Sequence, residues 1–203
     1  MLFDLHIHTR RHSPDSLIDP LDLVRRAREL GLDGIVITEH DYRWPQEELE
    51  ELRAAAPDLV ILSGVEVSGR HGHVLVYGAA DLSGIGPGIG WAELCREVRR
   101  QGGVALAAHP NRFGQDFADV LRRERPELDG IEVMSKNMDD AMRAEARRIL
   151  ETNPHFAALG NSDAHSLDML AVCVTRFEAE VRTEADLVAA IRARLAVPCP
   201  RDR

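Results

Sequence analysis

Aromatic side chains are scarce in this chain of 203 residues: two Trp, two Tyr and five Phe. A core must therefore be packed chiefly from Leu, Val, Ile and Ala. Cysteine is scarcer. Cys95, Cys173 and Cys199 are odd in number, far apart and never in a CxxC pair. That pattern excludes a disulfide framework and fits a reducing compartment. No apolar run approaches the ~20 residues of a membrane span, and no leader is expected ahead of residue 2. The cytoplasm is the expected location, with no membrane partner. Basic residues are in deficit, 25 against 34 acidic ones, for a net charge of −9. Nucleic acids and membrane surfaces are both anionic, so a long nucleic-acid partner is disfavoured. A phosphorylated substrate stays open wherever bound cations reverse the local sign. The glycine-rich stretch SGIGPGIG (83–90) lacks the Lys-Ser/Thr of a phosphate-binding loop and reads as a connection.

What is present alternates. Hydrophobic residues make up 44%, enough for one packed domain, expected over 1–195 with a frayed tail over 196–203. The opening MLFDLHIHT reads as a strand. Residues 20–30 read as a helix, with Asp19 as N-cap, Pro20 in the first helical position and Gly31 as the stop. Strands are expected at 34–38, 59–68, 73–78, 103–108, 128–134, 155–160 and 171–179. Helices are expected at 45–56 and after Trp91, Asp116, Asp139 and Glu184. Short apolar strands separated by amphipathic helices predict parallel strands with crossover connections. About seven such units suit a closed α/β barrel smaller than the usual eight-fold one. A doubly wound open sheet is the competing architecture.

In such a barrel the chemistry sits at the carboxyl ends of the strands. Those ends carry His6 and His8, then Glu39, His40 and Asp41, then Glu66, His109, Glu132, Asp163 and His165. In the first strand, Asp4, His6 and His8 alternate and should share one face. Histidines and carboxylates gathered away from bulk water repel or desolvate one another. Their convergence is tolerable if divalent cations bind there, with neutral imidazole and ionised carboxylate as ligands. Without cysteine, the set suits Zn²⁺, Mn²⁺ or Fe. The number of histidines exceeds one ion's needs, so two or three ions are expected, and Glu66 can bridge two of them.

The segments DLHIHT, ITEHD, GVEVS, GHVLVYG, AAHP and GNSDAH, in this order, resemble the PHP family, named for polymerase and histidinol phosphatase. The resemblance runs from residue 1 to about 175. It implies a distorted seven-stranded TIM-like (β/α) barrel with a trinuclear metal centre, and hydrolysis of phosphate esters. By position it implies His6, His8, Glu66 and Asp163 for the first ion, and Glu66, His73 and His109 for the second. His40 and His165 serve the third, completed by Asp15 or by its rival His12.

Three positions keep two readings. His73 precedes its apolar run, which places it at the wrong rim of a purely parallel barrel unless its strand runs antiparallel or it sits on the turn. Glu132 lies inside an apolar run, where an unpaired carboxylate is costly; it is either paired in the interior or near the metals. Asp4 either orients an imidazole or makes a plain structural hydrogen bond.

The expected reaction is hydrolysis of a small phosphomonoester of nucleotide, sugar phosphate or histidinol-phosphate type by a metal-bridging hydroxide. Glu66 holds two ions, and His40 or Asp41 helps protonate the leaving alcohol. Arg112, after HPN, is the first candidate for the substrate phosphate; Lys136, Arg10 and Arg11 are weaker ones. The alternatives are an exonuclease or phosphodiesterase acting on short oligonucleotides, an amidohydrolase, since that barrel class also opens with HxH, and a non-catalytic metal-binding scaffold.

Overall fold

The computed structural model describes residues 1–201, the side chain of Phe113 excepted. Its ten strands form two five-stranded sheets. In the first, β1 (Leu2–Ile7) lies at the centre. It pairs in parallel with β2 (Gly34–Ile37), which pairs in parallel with β3 (Val60–Ser63). On its other side, β9 (Cys173–Phe177) and β10 (Ala196–Pro200) follow as antiparallel neighbours. The second sheet runs in chain order: β4 (Val65–Gly69), β5 (Gly72–Tyr77), β6 (Val104–Ala107), β7 (Gly130–Met134) and β8 (Ala157–Gly160). Six helices connect them: α1 (Pro20–Glu29), α2 (Gln46–Ala55), α3 (Trp91–Arg100), α4 (Phe117–Glu124), α5 (Asp140–Thr152) and α6 (Glu184–Arg192). Among the described residues, no helix is long and apolar enough to cross a membrane.

This departs from one closed seven-stranded ring. The strand expected over 59–68 breaks at Gly64, and its halves join different sheets. A side chain at Gly64 would collide with the Tyr77 ring, 2.6 Å from an added Cβ. The second half turns back through a tight hairpin whose Gly72 has φ +117°, so β4–β5 and β5–β6 are antiparallel. Two turn residues can join only antiparallel strands; a parallel pair needs a long crossover. This reversal brings His73, at the start of β5, to the rim where β6 ends. The expected frayed tail is also revised: residues 196–200 form β10, and residues 202–203 lie outside the described residues. Pro198 and Pro200 are tolerated because β10 is the sheet's edge, where a missing N–H breaks no ladder.

The two sheets meet at two isolated bridges, Ile7 with Ala164 and His40 with Glu66. His8 N–H donates to Ala164 O at 3.0 Å, Asp41 N–H to Glu66 O at 2.9 Å, and Glu66 N–H to Glu39 O at 3.0 Å. Between the sheets lies a buried cluster that includes Phe3, Leu5, Val36, Leu75, Tyr77, Leu106 and Leu159, packed against Leu187 and Ile191 of α6. Two further cores bury α1 and α2 against the first sheet and α3, α4 and α5 against the second. Apolar packing thus fills the amino ends of β1 and β6, and polar residues collect at the opposite end.

Candidate metal centre

His6 and His8 sit at the end of β1, where its pairing with β2 shifts register between Asp4 and Ile7. Such irregularities re-aim side chains beside functional sites. Glu66 comes from β4, His109 from just after β6 and Asp163 from just after β8. His6 Nε2 lies 3.2 Å from Glu66 Oε1 and 3.3 Å from Asp163 Oδ1. His8 Nε2 lies 3.3 Å from both Glu66 Oε2 and Asp163 Oδ1. All four residues are buried. Yet among the described residues His6 Nε2, His8 Nε2, Glu66 Oε2 and Asp163 Oδ1 have no hydrogen-bond partner. Buried polar atoms are rarely left so. A tetrahedral ion with bonds of about 2.0–2.1 Å has ligand atoms about 3.3 Å apart, so the spacing and chemistry of the four residues fit a divalent cation.

Two more groups adjoin this one, and they share members with it. His40, Glu66 and His73 can hold an ion, as can His8, His40 and His165. Glu66 is the hub: His73 Nδ1 approaches its Oε1 at 2.8 Å, His109 Nε2 the same oxygen at 3.0 Å, and His40 Nδ1 its Oε2 at 3.0 Å. On the outer side, Asp15 Oδ2 lies 3.2 Å from both His40 Nε2 and His165 Nε2. His12, the rival to Asp15, pairs instead with Glu48 at 2.9 Å and stacks on Tyr42.

Charge follows the geometry. Burial works against protonating His6, but the carboxylates of Asp163, Glu66 and Glu132 outweigh it and raise the imidazole well above its usual range. His8 is raised to about 9 in the same way, against burial, by Asp163 and Glu66. Conversely, burial opposes ionisation of Glu66 and Asp163, and the neighbouring histidines overcome it, holding Glu66 well below and Asp163 below the usual carboxylate range. The site demands positive charge, from protons or from ions. Three residues at the rim adopt left-handed backbone: Asp41 (φ 52°), His109 (φ 25°) and Asp163 (φ 51°). Such conformations cost about 1–3 kcal/mol each and concentrate at functional sites.

The surrounding residues resolve the open readings. Glu132 is both paired and adjacent to the cluster. Its Oε1 accepts from His6 Nδ1 at 3.0 Å and Asn161 Nδ2 at 2.8 Å, and its Oε2 accepts from His109 N–H at 2.7 Å. Asp4 takes the structural role, accepting Ser162 N–H and Ala171 N–H, each at 3.0 Å. Burial raises its carboxyl to about 6. Asp41 faces the backbone, with Oδ1 accepting Ser68 N–H at 2.8 Å. Arg112 Nη1 lies 3.3 Å from Asp163 Oδ2. Lys136 is exposed, and Arg10 and Arg11 pair with Asp19 and Glu51. Two contributors lie outside the expected set. Asn137 Nδ2 donates to Asp163 Oδ2 at 2.6 Å, and Ser13 lies between His8 and Glu39. Asn137 belongs to the stretch SKNMDD after β7, whose acidic residues read as the start of the next helix and do not point to Asn137. Ser13 shares a polar loop with Ser16, and no spacing separates the two.

A mixed α/β fold with this rim defines a class of protein. Residues 4–94 match the PHP domain and residues 144–195 the PHP-associated segment. The chain carries a PHP domain, as its motifs suggest. An uncharacterized protein of Methanocaldococcus jannaschii is 27% identical over 149 residues, covering 66% of this chain and 82% of that one. A two-domain Bacteroides vulgatus protein containing a predicted PHP-like metal-dependent phosphoesterase superposes with a TM-score of 0.77 at 21% identity. That match covers 99% of this chain but 65% of the Bacteroides protein. The lesion-specific endonuclease EndoQ of Pyrococcus furiosus superposes with a TM-score of 0.72 at 18% identity, over 95% of this chain and 56% of its own. At these identities the structural matches establish a shared fold.

Proposed function

We propose that this chain is a metal-dependent phosphoric ester hydrolase acting on a small phosphomonoester. One observation carries the reading: four buried ligand atoms, brought from the end of β1, from β4 and from the turn after β8, lack hydrogen-bond partners among the described residues, and His6 Nε2 and His8 Nε2 each stand 3.3 Å from Asp163 Oδ1. His6, His8, Glu66 and Asp163 hold an inner ion. Glu66, with His73 and His109, holds a second. His40, His165 and Asp15 hold a third. Bound divalent ions such as Zn²⁺, Mn²⁺ or Fe acidify water to near-neutral pKa and neutralise phosphoryl charge. The protein keeps Glu66 ionised between the inner positions, while Glu132 fixes His6 and His109. Arg112, whose Nη1 lies 3.3 Å from Asp163 Oδ2, meets a phosphoryl oxygen of the substrate. Asp41 acts by holding the Ser68 backbone and, through it, the strand of Glu66.

A second reading, a phosphodiesterase acting on short oligonucleotide ends, draws on the open outer face, where Asp15 is 53% exposed. The test is metal analysis followed by a panel of phosphomonoesters, diesters and amides with added Mn²⁺ or Zn²⁺. Two or three ions per chain and preferential monoester hydrolysis are expected. Glu66→Gln is expected to lower turnover by more than about 100-fold, beyond the usual cost of losing an outer-shell partner, with circular dichroism unchanged. Diester preference selects the second reading. Ion binding without turnover of any panel member would leave a metal-binding scaffold.

A further inference from the structure

The two histidines of the HxH pair are supported differently. His6 Nδ1 meets the Glu132 carboxylate directly. His8 Nδ1 meets a hydroxyl, Ser13 Oγ, at 3.3 Å. Behind Ser13 stands Glu39, fully buried. Glu39 Oε2 accepts Thr9 N–H at 3.0 Å, and Oε1 accepts the Trp44 indole N–H at 2.9 Å. Each oxygen thus faces an N–H that can only donate, so the carboxylate acts as acceptor. Ser13 Oγ lies 2.5 Å from Oε2 and gives its single proton there. Its lone pairs then face His8 Nδ1 and the His40 backbone N–H, the latter also at 3.3 Å. With the hydroxyl proton committed to Glu39, the hydrogen between Ser13 and His8 comes from the imidazole. The neutral, metal-binding form of His8 is therefore the Nδ1–H tautomer, with its Nε2 lone pair aimed at Glu66 and Asp163.

We propose that Glu39 and Ser13 form a positioning relay that sets the tautomer and aim of His8, and with them the affinity of the inner site for a divalent cation. This inference rests on the metal-site reading above. It assigns a purpose to a buried carboxylate that no ligand group includes and to a serine that no motif marks. Neither residue touches the reacting atoms; both act through His8. Ser13 also reaches His40 through its backbone N–H, so one hydroxyl ties a ligand of the inner position to a ligand of the outer one.

The test uses the whole chain loaded with Zn²⁺. Long-range ¹H–¹⁵N correlations of the histidine rings are expected to show His8 protonated at Nδ1, with the metal-shifted resonance at Nε2. A His8 ring coordinated through Nδ1 would overturn the relay without any variant being made. Ser13→Ala is expected to weaken Zn²⁺ affinity about 10–100-fold in chelator competition, and to perturb the His8 ring signals while those of His6 stay put. Thr9→Val removes a hydrogen bond to Oε1 of the same carboxylate but leaves Ser13 in place. It is expected to keep the wild-type affinity. Equal losses in both variants, or wild-type affinity in Ser13→Ala, would show that Glu39 only packs the loop. Wild-type protein that takes up no Zn²⁺ would refute the metal-site reading itself.

Discussion

His8 Nε2 and Asp163 Oδ1 lie 3.3 Å apart, both buried, and neither makes a hydrogen bond among the described residues. The two atoms come from opposite ends of the chain, and the Ile7–Ala164 bridge beside them joins the two sheets. The fold thus holds a base and an acid face to face and leaves their lone pairs to a third party. Proton or metal can fill that role, and the two must compete.

That competition has a sign. In metal-free protein His8 is raised from 6.5 to about 9, because Asp163 and Glu66 outweigh the opposing effect of burial. A raised histidine stabilises fully below 6.5 and loses that contribution as pH climbs through 9; a shift of this size is of order 3 kcal/mol. Asp163 and Glu66 are depressed, so their contribution is present at neutral pH and is lost in acid. Protein in chelator is therefore expected to melt at lower temperature near pH 9 than near pH 6. Ion binding near pH 7 is expected to release protons. Calorimetric titrations in buffers of different ionisation heat count them. A flat melting profile between pH 6 and 9 in chelator would contradict the linkage.

Asp41 separates acid chemistry from backbone support. Its carboxylate accepts Ser68 N–H, and its φ of 52° suits Asp, Asn or Gly. Asp41→Asn keeps an acceptor and the backbone preference but cannot release a proton. It is expected to retain most of the wild-type kcat and to cost under about 1 kcal/mol of stability. Asp41→Ala loses both features and is expected to cost about 1–3 kcal/mol, the usual penalty for a stranded partner or a strained backbone. Parallel denaturation and turnover measurements decide. A collapse of kcat in Asp41→Asn would make Asp41 the proton donor instead.

The histidines and carboxylates of the rim were legible because polar residues inside apolar runs are conspicuous, as in HxH and in Glu132. Strand direction was harder to see. Nothing in GHVLVYG alone says that β5 runs backwards; that depends on the two-residue turn at Arg70 and His71 and on the freedom of Gly72. The break at Gly64 was hidden inside a stretch that reads as one strand, and the neighbour that keeps this position free of a side chain, the Tyr77 ring, is a tertiary one. The edge strand β10 was masked by its prolines, which argue against a central strand and say nothing against an edge. Ser13 and Asn137 were invisible for a different reason. Serine and asparagine are ordinary loop residues, and only distance to His8 and Asp163 singles these two out.

Where β3 and β4 part, the sheets leave carbonyls for side chains to satisfy. Arg43 Nη1 donates to Ser63 O and Ala79 O, both at 3.2 Å, and its Nη2 donates to the two Glu184 carboxylate oxygens at 2.6 and 2.7 Å. It ties the loop after His40 to the start of α6, far from the ligand cluster in sequence. Arg43→Met is expected to destabilise by about 3–5 kcal/mol, the cost of breaking a largely buried ion pair, while the protein still takes up its ions. Chemical denaturation alongside metal analysis checks both halves. An unchanged unfolding midpoint would show that the seam does not depend on this ion pair.

Arg112 and Asn137 both hold Asp163 Oδ2, at 3.3 and 2.6 Å, and this shared partner makes their roles separable. If Arg112 also meets the substrate phosphate, its charge and its fork both matter. Lysine supplies the charge without the fork. Arg112→Ala is expected to lower kcat/KM by about 10–100-fold, the equivalent of one charged hydrogen bond of about 1.5–3 kcal/mol, mostly through KM, and Arg112→Lys to recover part of it. Asn137→Ala leaves Arg112 in place and loosens only Asp163, so its loss is expected in ion affinity, with KM at saturating metal close to wild type. Steady-state kinetics over a metal titration distinguish the two. An Arg112→Ala variant whose whole defect vanishes at saturating metal would show that the arginine serves Asp163 alone and that the phosphate is held elsewhere.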